Sequence, residues 1–274
     1  MRILVMIAVA VFGMLPSANA HQATSTYIAN EAVLITNDDK KVLFDPFFHQ
    51  SFGIYQLVPE DIKQAIFDAI PPYDDITAIV ISHAHGDHFA ADDVLRYLQN
   101  YPNTQFIAPQ QAILELSKLD GATSIEEQVH GIELSFNQAP ITLNVAGLTL
   151  EAVRIPHAGW PGRADIENLV FRVTLNHSDS PVTIMHMGDA DPDYEHYSPF
   201  KAHWQKRSTD TAFPPYWFYL SAEGNYVLDD MLNIKQSVGI HVPIEVPVRL
   251  KKSGKTYFSK PGETHNISQT SEPQ

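Results

Sequence analysis

The stretch "ISHAHGDHFA", residues 81–90, places His83, His85, Asp87 and His88 within six positions, directly after the apolar run "ITAIVIS" (76–82). That run reads as a buried strand, being short, rich in β-branched residues and free of Gly and Pro. Neutral imidazole and carboxylate are ligand types for zinc and related divalent ions. His83 and His85 sit two apart, so on a strand end they face the same way. Gly86 then allows a sharp bend, and Asp87 and His88 are aimed elsewhere. One short loop can therefore serve two cations side by side. Chance grouping, or the capping of a helix opened by "DHFAADDV", accounts for one such residue but poorly for four at this spacing.

Each ion needs about four ligands, so the loop alone is not enough. Three later positions can complete two sites, each at the end of a strand-like run. His157 lies in "VRIPHAGW", Asp189 in "TIMHMGDAD" beside Gly188, and His241 in "GIHV". Taken singly, each is an ordinary turn residue.

Outward from the histidine loop, periodicity predicts a mixed α/β chain. Strands are expected in "TSTYIANEAVLITNDDKKVLFDPFF", with a turn at Asn37-Asp38-Asp39-Lys40, and in "TQFIA", "ITLNV", "LTLEAVRI", "NLVFRVTL", "PVTIMHM", "YWFYLS" and "GIHV". Helices are expected in "VPEDIKQAIFDAI" (58–70, Ile62, Ile66 and Ile70 on one face, stopped by Pro71-Pro72), "AADDVLRYLQN", "PQQAILELSKL" and "DDMLNIKQS". The polar tail from Lys251 to Gln274 is expected to be loose. Two contacting sheets with helices outside, a layered αββα architecture, would satisfy this order.

The chain has 274 residues, no cysteine and a formal charge of −14. "MRILVMIAVAVFGMLPSANA" has the layout of a secretory signal peptide with an Ala18-Asn19-Ala20 cleavage site, its apolar run short for a membrane span and broken by Pro16. The expected mature chain starts at His21, in the periplasm or outside the cell, with a main domain over 21–250 and a tail over 251–274. The absence of cysteine removes disulfides and thiolate ligands. The acidic balance repels phosphate backbones, so nucleic acid is not an expected partner. No second apolar run is long enough to span a bilayer.

With these residues in place, the sequence resembles the metallo-β-lactamase superfamily. Its five motifs occur in order: Asp45 in "LFDPF", then "HAHGDH" (83–88), His157, Asp189 and His241. The resemblance spans about residues 27–250 and implies the four-layer αββα sandwich of that family. It implies that His83, His85 and His157 hold one divalent ion and Asp87, His88 and His241 a second. Asp189 would bridge the two, and Asp45 would orient the loop from behind. Zinc is the expected metal, with manganese or iron as alternatives. Aspartate at 189 is similar to the lactonase, thioesterase and phosphodiesterase branches rather than to true β-lactamases. "VLFDPFF" and a last histidine followed by Pro243 and Glu245 look most like the L-ascorbate-6-phosphate lactonase-like and N-acylphosphatidylethanolamine phospholipase-D-like group.

The implied activity is hydrolysis of a lactone, another ester or a phosphodiester, the substrate a small or lipid-like molecule. Water activated between two cations attacks carbon or phosphorus, Asp189 holds the pair of ions, and Asp87, or metal-bound water, passes a proton to the leaving group. The alternatives are a β-lactamase-like amide hydrolase, a non-catalytic metal-binding protein and an iron oxidoreductase on the same scaffold. There is no G-x-S-x-G or H-E-x-x-H, and "SGKT" (253–256) lacks the first glycine of a phosphate loop, having Arg249 there. The stretches 47–56, 157–163 and 191–218 are candidates to shape the pocket. Within and around them Phe47, Phe48, Tyr55 and Trp160 are candidate apolar contacts, and Arg163, Lys201 and His203 candidate anion contacts. His186, alternating with the apolar residues of "TIMHM", is read as a hydrogen-bonded core histidine.

Overall fold

The computed structural model describes residues 22–176 and 181–267. The expected signal peptide, its cleavage site at His21 and His177 lie outside the described residues. The first sheet holds Thr24–Ala29 (β1), Ala32–Asn37 (β2), Lys40–Phe44 (β3), Ala78–Val80 (β4), Gln105–Pro109 (β5) and Val129–Ile132 (β6), with Thr264–Asn266 (β13) on its outer edge. Its order is β13-β1-β2-β3-β4-β5-β6, antiparallel up to β3 and parallel from there to β6. The second sheet runs β12-β11-β10-β9-β8-β7 and holds Ile141–Val145 (β7), Leu148–Arg154 (β8), Leu169–Leu175 (β9), Val182–His186 (β10), Thr209–Phe213 (β11) and Ile234–Ser237 (β12).

Alternation along the strands builds three apolar layers. Val33, Phe44, Val80 and Ile107 of the first sheet meet Leu150, Phe171, Val173, Ile184 and Phe213 of the second. The opposite face of the first sheet (Leu34, Leu43, Ile79, Phe106) is covered by Glu60–Phe67 (α1), Ala91–Asn100 (α2) and Gln110–Leu116 (α3). The far face of the second sheet packs on the segment that includes Trp204, Phe218 and Leu228. The four layers are thus αββα, the expected fold class. Each buried aliphatic side chain contributes about 1.5–3 kcal/mol on leaving water. In α2, Val94, Leu95, Tyr97 and Leu98 point inward while Asp92 and Asp93 occupy the first turn, where the helix dipole favours negative charge. No helix among the described residues is long and apolar enough to cross a membrane.

Several local expectations need correction. Ile70 lies beyond the end of α1 and is 51% exposed. "YWFYLS" is a 3-10 turn over Tyr216–Leu220, because Pro214 and Pro215 enter it without ladder donors. In "DDMLNIKQS" only the start is wound, within a π-helical turn over Val227–Met231. Asn233 then adopts φ 52°, and Ile234–Ser237 pairs with β11 as a strand. "GIHV" makes isolated bridges, Gly239 to Tyr257 and Ile240 to Pro215, rather than a strand. In the described part of the segment expected to be loose, Phe258 is buried and β13 closes on β1. Periodicity missed β6, β11 and β13, which are short or polar.

Candidate metal centre

The sheets converge at one end, where most of the site residues lie just beyond strand ends. Asp45 follows β3, His83 follows β4 by three residues, His157 follows β8 and Asp189 follows β10. Short backbone bonds tie these exits together. The Asp45 N–H donates to the Val80 carbonyl at 3.0 Å, Ala158 to Asp189 at 2.7 Å, and Asp191 to Pro156 at 2.8 Å. Leu169 donates to Ser82 across the two sheets at 2.9 Å. His241 is placed by its own N–H, which donates to the Asn30 carbonyl at 2.9 Å. Asp45 (φ 42°) and His241 (φ 56°) both take left-handed backbone, a strained choice for such residues that the surrounding contacts maintain.

All seven expected ligands come together in two groups that share Asp189. His83, His85, His157 and Asp189 form one, and Asp87, His88 and His241 the other. In the first, Nδ1 of His85 lies 3.1 Å from Nε2 of His83 and 3.1 Å from Nε2 of His157. Tetrahedral zinc with ligand bonds of about 2.0–2.1 Å has ligand–ligand edges of about 3.3–3.4 Å, close to what these nitrogens show. Asp189 aims one oxygen at each group. Oδ2 is 3.2 Å from Nε2 of His157 and 3.9 Å from that of His83. Oδ1 is 3.0 Å from Nε2 of His241 and 3.4 Å from that of His88. Asp87 Oδ2 stands 3.7 Å from each of those last two nitrogens.

The donor set fits cations. Nε2 of His88, Nε2 of His241 and Oδ1 of Asp189 are buried without a hydrogen-bond partner among the described residues, which is costly unless an ion satisfies them. Tautomers are set from behind. Nδ1 of His157 faces the Ala158 carbonyl at 2.8 Å and Nδ1 of His88 faces Asp45 Oδ2 at 2.9 Å, so both Nε2 atoms turn to the centre. Burial, reinforced by the His88 charge, holds His83 well below the ordinary histidine range, and burial with His157 lowers His85. Both are thus neutral, the form that binds metal. Burial opposes charge on His88 too, but Asp189 and Asp45 outweigh it and push His88 well above the ordinary range. Burial alone would raise the Asp189 carboxyl; His241 and His88 overcome it and hold it well below.

Two supports hold this arrangement. Asp45 accepts from the Ser82 N–H (2.7 Å), the Ser82 hydroxyl (2.6 Å) and His88. Gly188 (φ 54°) precedes Asp189 where a Cβ would come 2.4 Å from Asn168 Oδ1 and 2.7 Å from Ser82 Cβ. That same Asn168 oxygen accepts from the Asp189 N–H at 3.0 Å. Gly188→Ala is therefore expected to cost more than about 2 kcal/mol through clash and backbone strain, read by urea unfolding, and to lower metal content in parallel. An unchanged midpoint would show that the turn relaxes. Gly86 bends the histidine loop without a left-handed backbone. It opens the turn in which the His88 and Phe89 N–H groups both donate to the His85 carbonyl at 2.9 Å, and a Cβ there would come 2.7 Å from the end of the Gln50 side chain.

A pocket of about 370 Å³ opens over both groups, lined by Phe52, Ile54, Tyr55, His85, Asp87, Arg163, Asp189 and His241. The Tyr55 ring meets His241 edge-on at 4.0 Å. Burial, then the Asp189 charge, pushes the Tyr55 hydroxyl well above its ordinary range, so it remains a donor.

The model of the Beta-lactamase superfamily domain matches residues 24–202 of the sequence. The chain belongs to this superfamily. No curated protein matches it. Among solved structures it is similar to Igni18, a novel metallo hydrolase from Ignicoccus hospitalis KIN4/I, at 15% identity and a TM-score of 0.55, over 91% of this chain and 100% of that one. A possible metal-dependent hydrolase from Veillonella parvula DSM 2008 aligns at 13% identity and TM-score 0.57, over 90% and 100%. CmlA, a diiron β-hydroxylase from Streptomyces venezuelae, aligns at 13% and 0.51, over 90% of this chain and 54% of that one. At these identities the likeness is one of fold.

Within this β-lactamase-superfamily chain the expected substrate contacts separate. Tyr55 and Arg163 line the pocket. Phe47 and Phe48 do not: they are 1% and 5% exposed and belong to the layer beneath the helices. Trp160 packs edge-on against Phe136 and His196 outside the pocket lining. Lys201 is on the surface, and His203 faces Glu151 at 3.4 Å. From 191–218 no residue lines the pocket, although Trp217 lies 5.2 Å from His241, centroid to centroid. His186 is fully buried, with Nε2 3.0 Å from the Glu31 carbonyl and its ring stacked on Phe44, as a core histidine. The reading missed Phe52, Ile54 and Glu31. Phe52 and Ile54 at least fall in the flagged stretch 47–56.

Proposed function

We propose that this protein is a dinuclear metal-dependent hydrolase of a lactone, another ester or a phosphodiester. The observation that carries the reading is Asp189, whose two oxygens face two separate histidine groups on the floor of one pocket. Bound divalent ions, zinc foremost and manganese or iron as alternatives, would supply Lewis acidity and lower the pKa of water to about 7. His83, His85 and His157 would hold one, and Asp87, His88 and His241 the other. A three-histidine, one-aspartate set suits zinc, which has no redox chemistry; this favours hydrolysis over the oxidative use of the fold.

The chain's own groups then have distinct tasks. Asp87 lines the pocket within reach of His88 and His241 and is placed to hand a proton to the leaving group. Tyr55 offers a hydroxyl donor, and Arg163 is the one cationic side chain among the lining residues, suited to a carboxylate or phosphate of the substrate. Aspartate at 189 supports the lactonase-like and phospholipase-D-like branch over a β-lactamase. The apolar leader supports export, with cleavage at Ala20-His21, and N-terminal sequencing tests it: a chain retaining Met1 would sink that part.

The test is elemental mass spectrometry on the purified protein, followed by a screen of lactones, phosphodiesters and β-lactams. About two ions per chain and turnover of an ester or phosphodiester support the reading. Turnover confined to β-lactams would move it to the amide hydrolases, and no metal after reloading would leave a binding role. Asp87→Asn is expected to lower kcat about 10²–10⁴-fold. Full turnover with both metals retained would remove Asp87 from proton transfer.

A further inference from the structure

Glu31 turns between β1 and β2, in a hairpin position where a charged side chain ordinarily meets water. Here it is 0% exposed. Both of its carboxylate oxygens lack a hydrogen-bond partner among the described residues. An ionised carboxylate in that state is costly unless a cation stands near it. Its surroundings are those of the second histidine group. Oε2 lies 3.8 Å from Nδ1 of His88, and a Glu31 oxygen lies within 4.8 Å of ligand atoms of both His88 and Asp189. On its other side Oε2 is 3.9 Å from Nε2 of His186, which is already engaged by the Glu31 carbonyl. The neighbouring Asn30 ties the same turn to the site. Its amide donates to the Asp87 carbonyl at 2.9 Å and its carbonyl accepts from His241. Among the described residues the charged groups around Glu31 are His88, His186, Asp45, Asp87 and Asp189, with no arginine or lysine among them.

Resting on the dinuclear reading above, we propose that Glu31 is a further carboxylate of the second metal position, shifting that position from zinc toward a hard cation such as Mn²⁺. The first group offers three imidazoles and one carboxylate. With Glu31 and Asp45 behind His88, the second offers two imidazoles and the negative charge of four carboxylates, Glu31, Asp45, Asp87 and Asp189. Oxygen-rich, negatively charged sites favour manganese more than imidazole-rich sites do. Glu31 acts on the ion through its charge and through His88, so it is a positioning residue in the reaction itself.

The experiment measures Mn²⁺ binding to full-length protein preloaded with one equivalent of Zn²⁺, by the loss of the free Mn²⁺ electron paramagnetic resonance signal. Wild type is compared with Glu31→Gln, which keeps the shape and removes the charge. The expected result is Mn²⁺ affinity about 10–100-fold weaker in Glu31→Gln, with the first equivalent of zinc held as in wild type. Equal Mn²⁺ affinity in the two proteins would overturn the inference and mark Glu31 as a neutral buried acid. If wild type itself binds one ion or none, the dinuclear reading fails instead, so the two failures are distinct. Should Glu31→Gln not fold, anomalous diffraction at the zinc and manganese edges from wild-type crystals soaked in both metals decides. Manganese in the Asp87–His88–His241 group supports the inference, and zinc in both groups overturns it.

Discussion

Asp189→Ala is expected to reduce bound metal from about two ions per chain to one or fewer and to cut turnover at least about 10³-fold. The argument is geometric. Oδ2 serves the His83–His85–His157 group and Oδ1 the His88–His241 group, so one truncation removes a ligand from each. It also removes the negative charge that offsets like charge among the clustered histidines. Alanine cannot bridge, and water in its place carries no charge. Metal content by elemental mass spectrometry and kcat on the best screened substrate check the result. Two ions retained with activity near wild type would show that the groups stand independently and that Asp189 does not bridge.

Asp45→Asn is expected to weaken the second metal position about 10–100-fold and to lower stability by about 2–3 kcal/mol. Asp45 is fully buried and accepts three hydrogen bonds, from the Ser82 N–H, the Ser82 hydroxyl and His88 Nδ1. Asparagine keeps one acceptor oxygen, which can still meet one of these donors. Its amide N–H₂ then points at the others, donor against donor, and His88 loses the carboxylate that fixes its ring. Asparagine also tolerates the left-handed backbone at this position (φ 42°), so the substitution tests hydrogen-bond chemistry rather than strain. Urea unfolding of the metal-free protein reads the stability term separately from a metal titration. If metal affinity stays level while stability falls, Asp45 supports the fold and not the ligand.

Much of the centre was legible because its residues are chemically conspicuous and sit where apolar runs stop. His83, His85, Asp87 and His88 follow a strand, Ala78–Val80, whose residues are apolar at every position, and His157 and Asp189 follow strands in which polar residues are interleaved with apolar ones. The fully buried strands Leu169–Leu175 and Val182–His186 were legible for the same reason. Thr209–Phe213 was not. Its sequence "TDTAF" carries no apolar pattern, and it is a strand because both neighbours offer it a ladder. Ile234–Ser237 was read as helix because it is an edge strand, pairing only with β11, and needs little apolar character of its own.

The order and residue types of the ligands and the absence of thiol chemistry were determined by the sequence alone, since each follows from local pattern or composition; periodicity was compatible with αββα layering without choosing it over other mixed α/β folds, and the family resemblance implied it. Tertiary structure decided which aromatic side chains reach the pocket. It buried Phe47 and Phe48 and left Phe52 and Ile54 at the mouth, although all four lie within eight residues. It also decided that Glu31, in a turn that reads as solvated, lies under the second histidine group. Burial of a turn residue depends on what the rest of the chain packs over it. Here that cover comes from strand exits more than 50 residues away in sequence, His88, His186 and Asp189 among them, a separation no local pattern encodes.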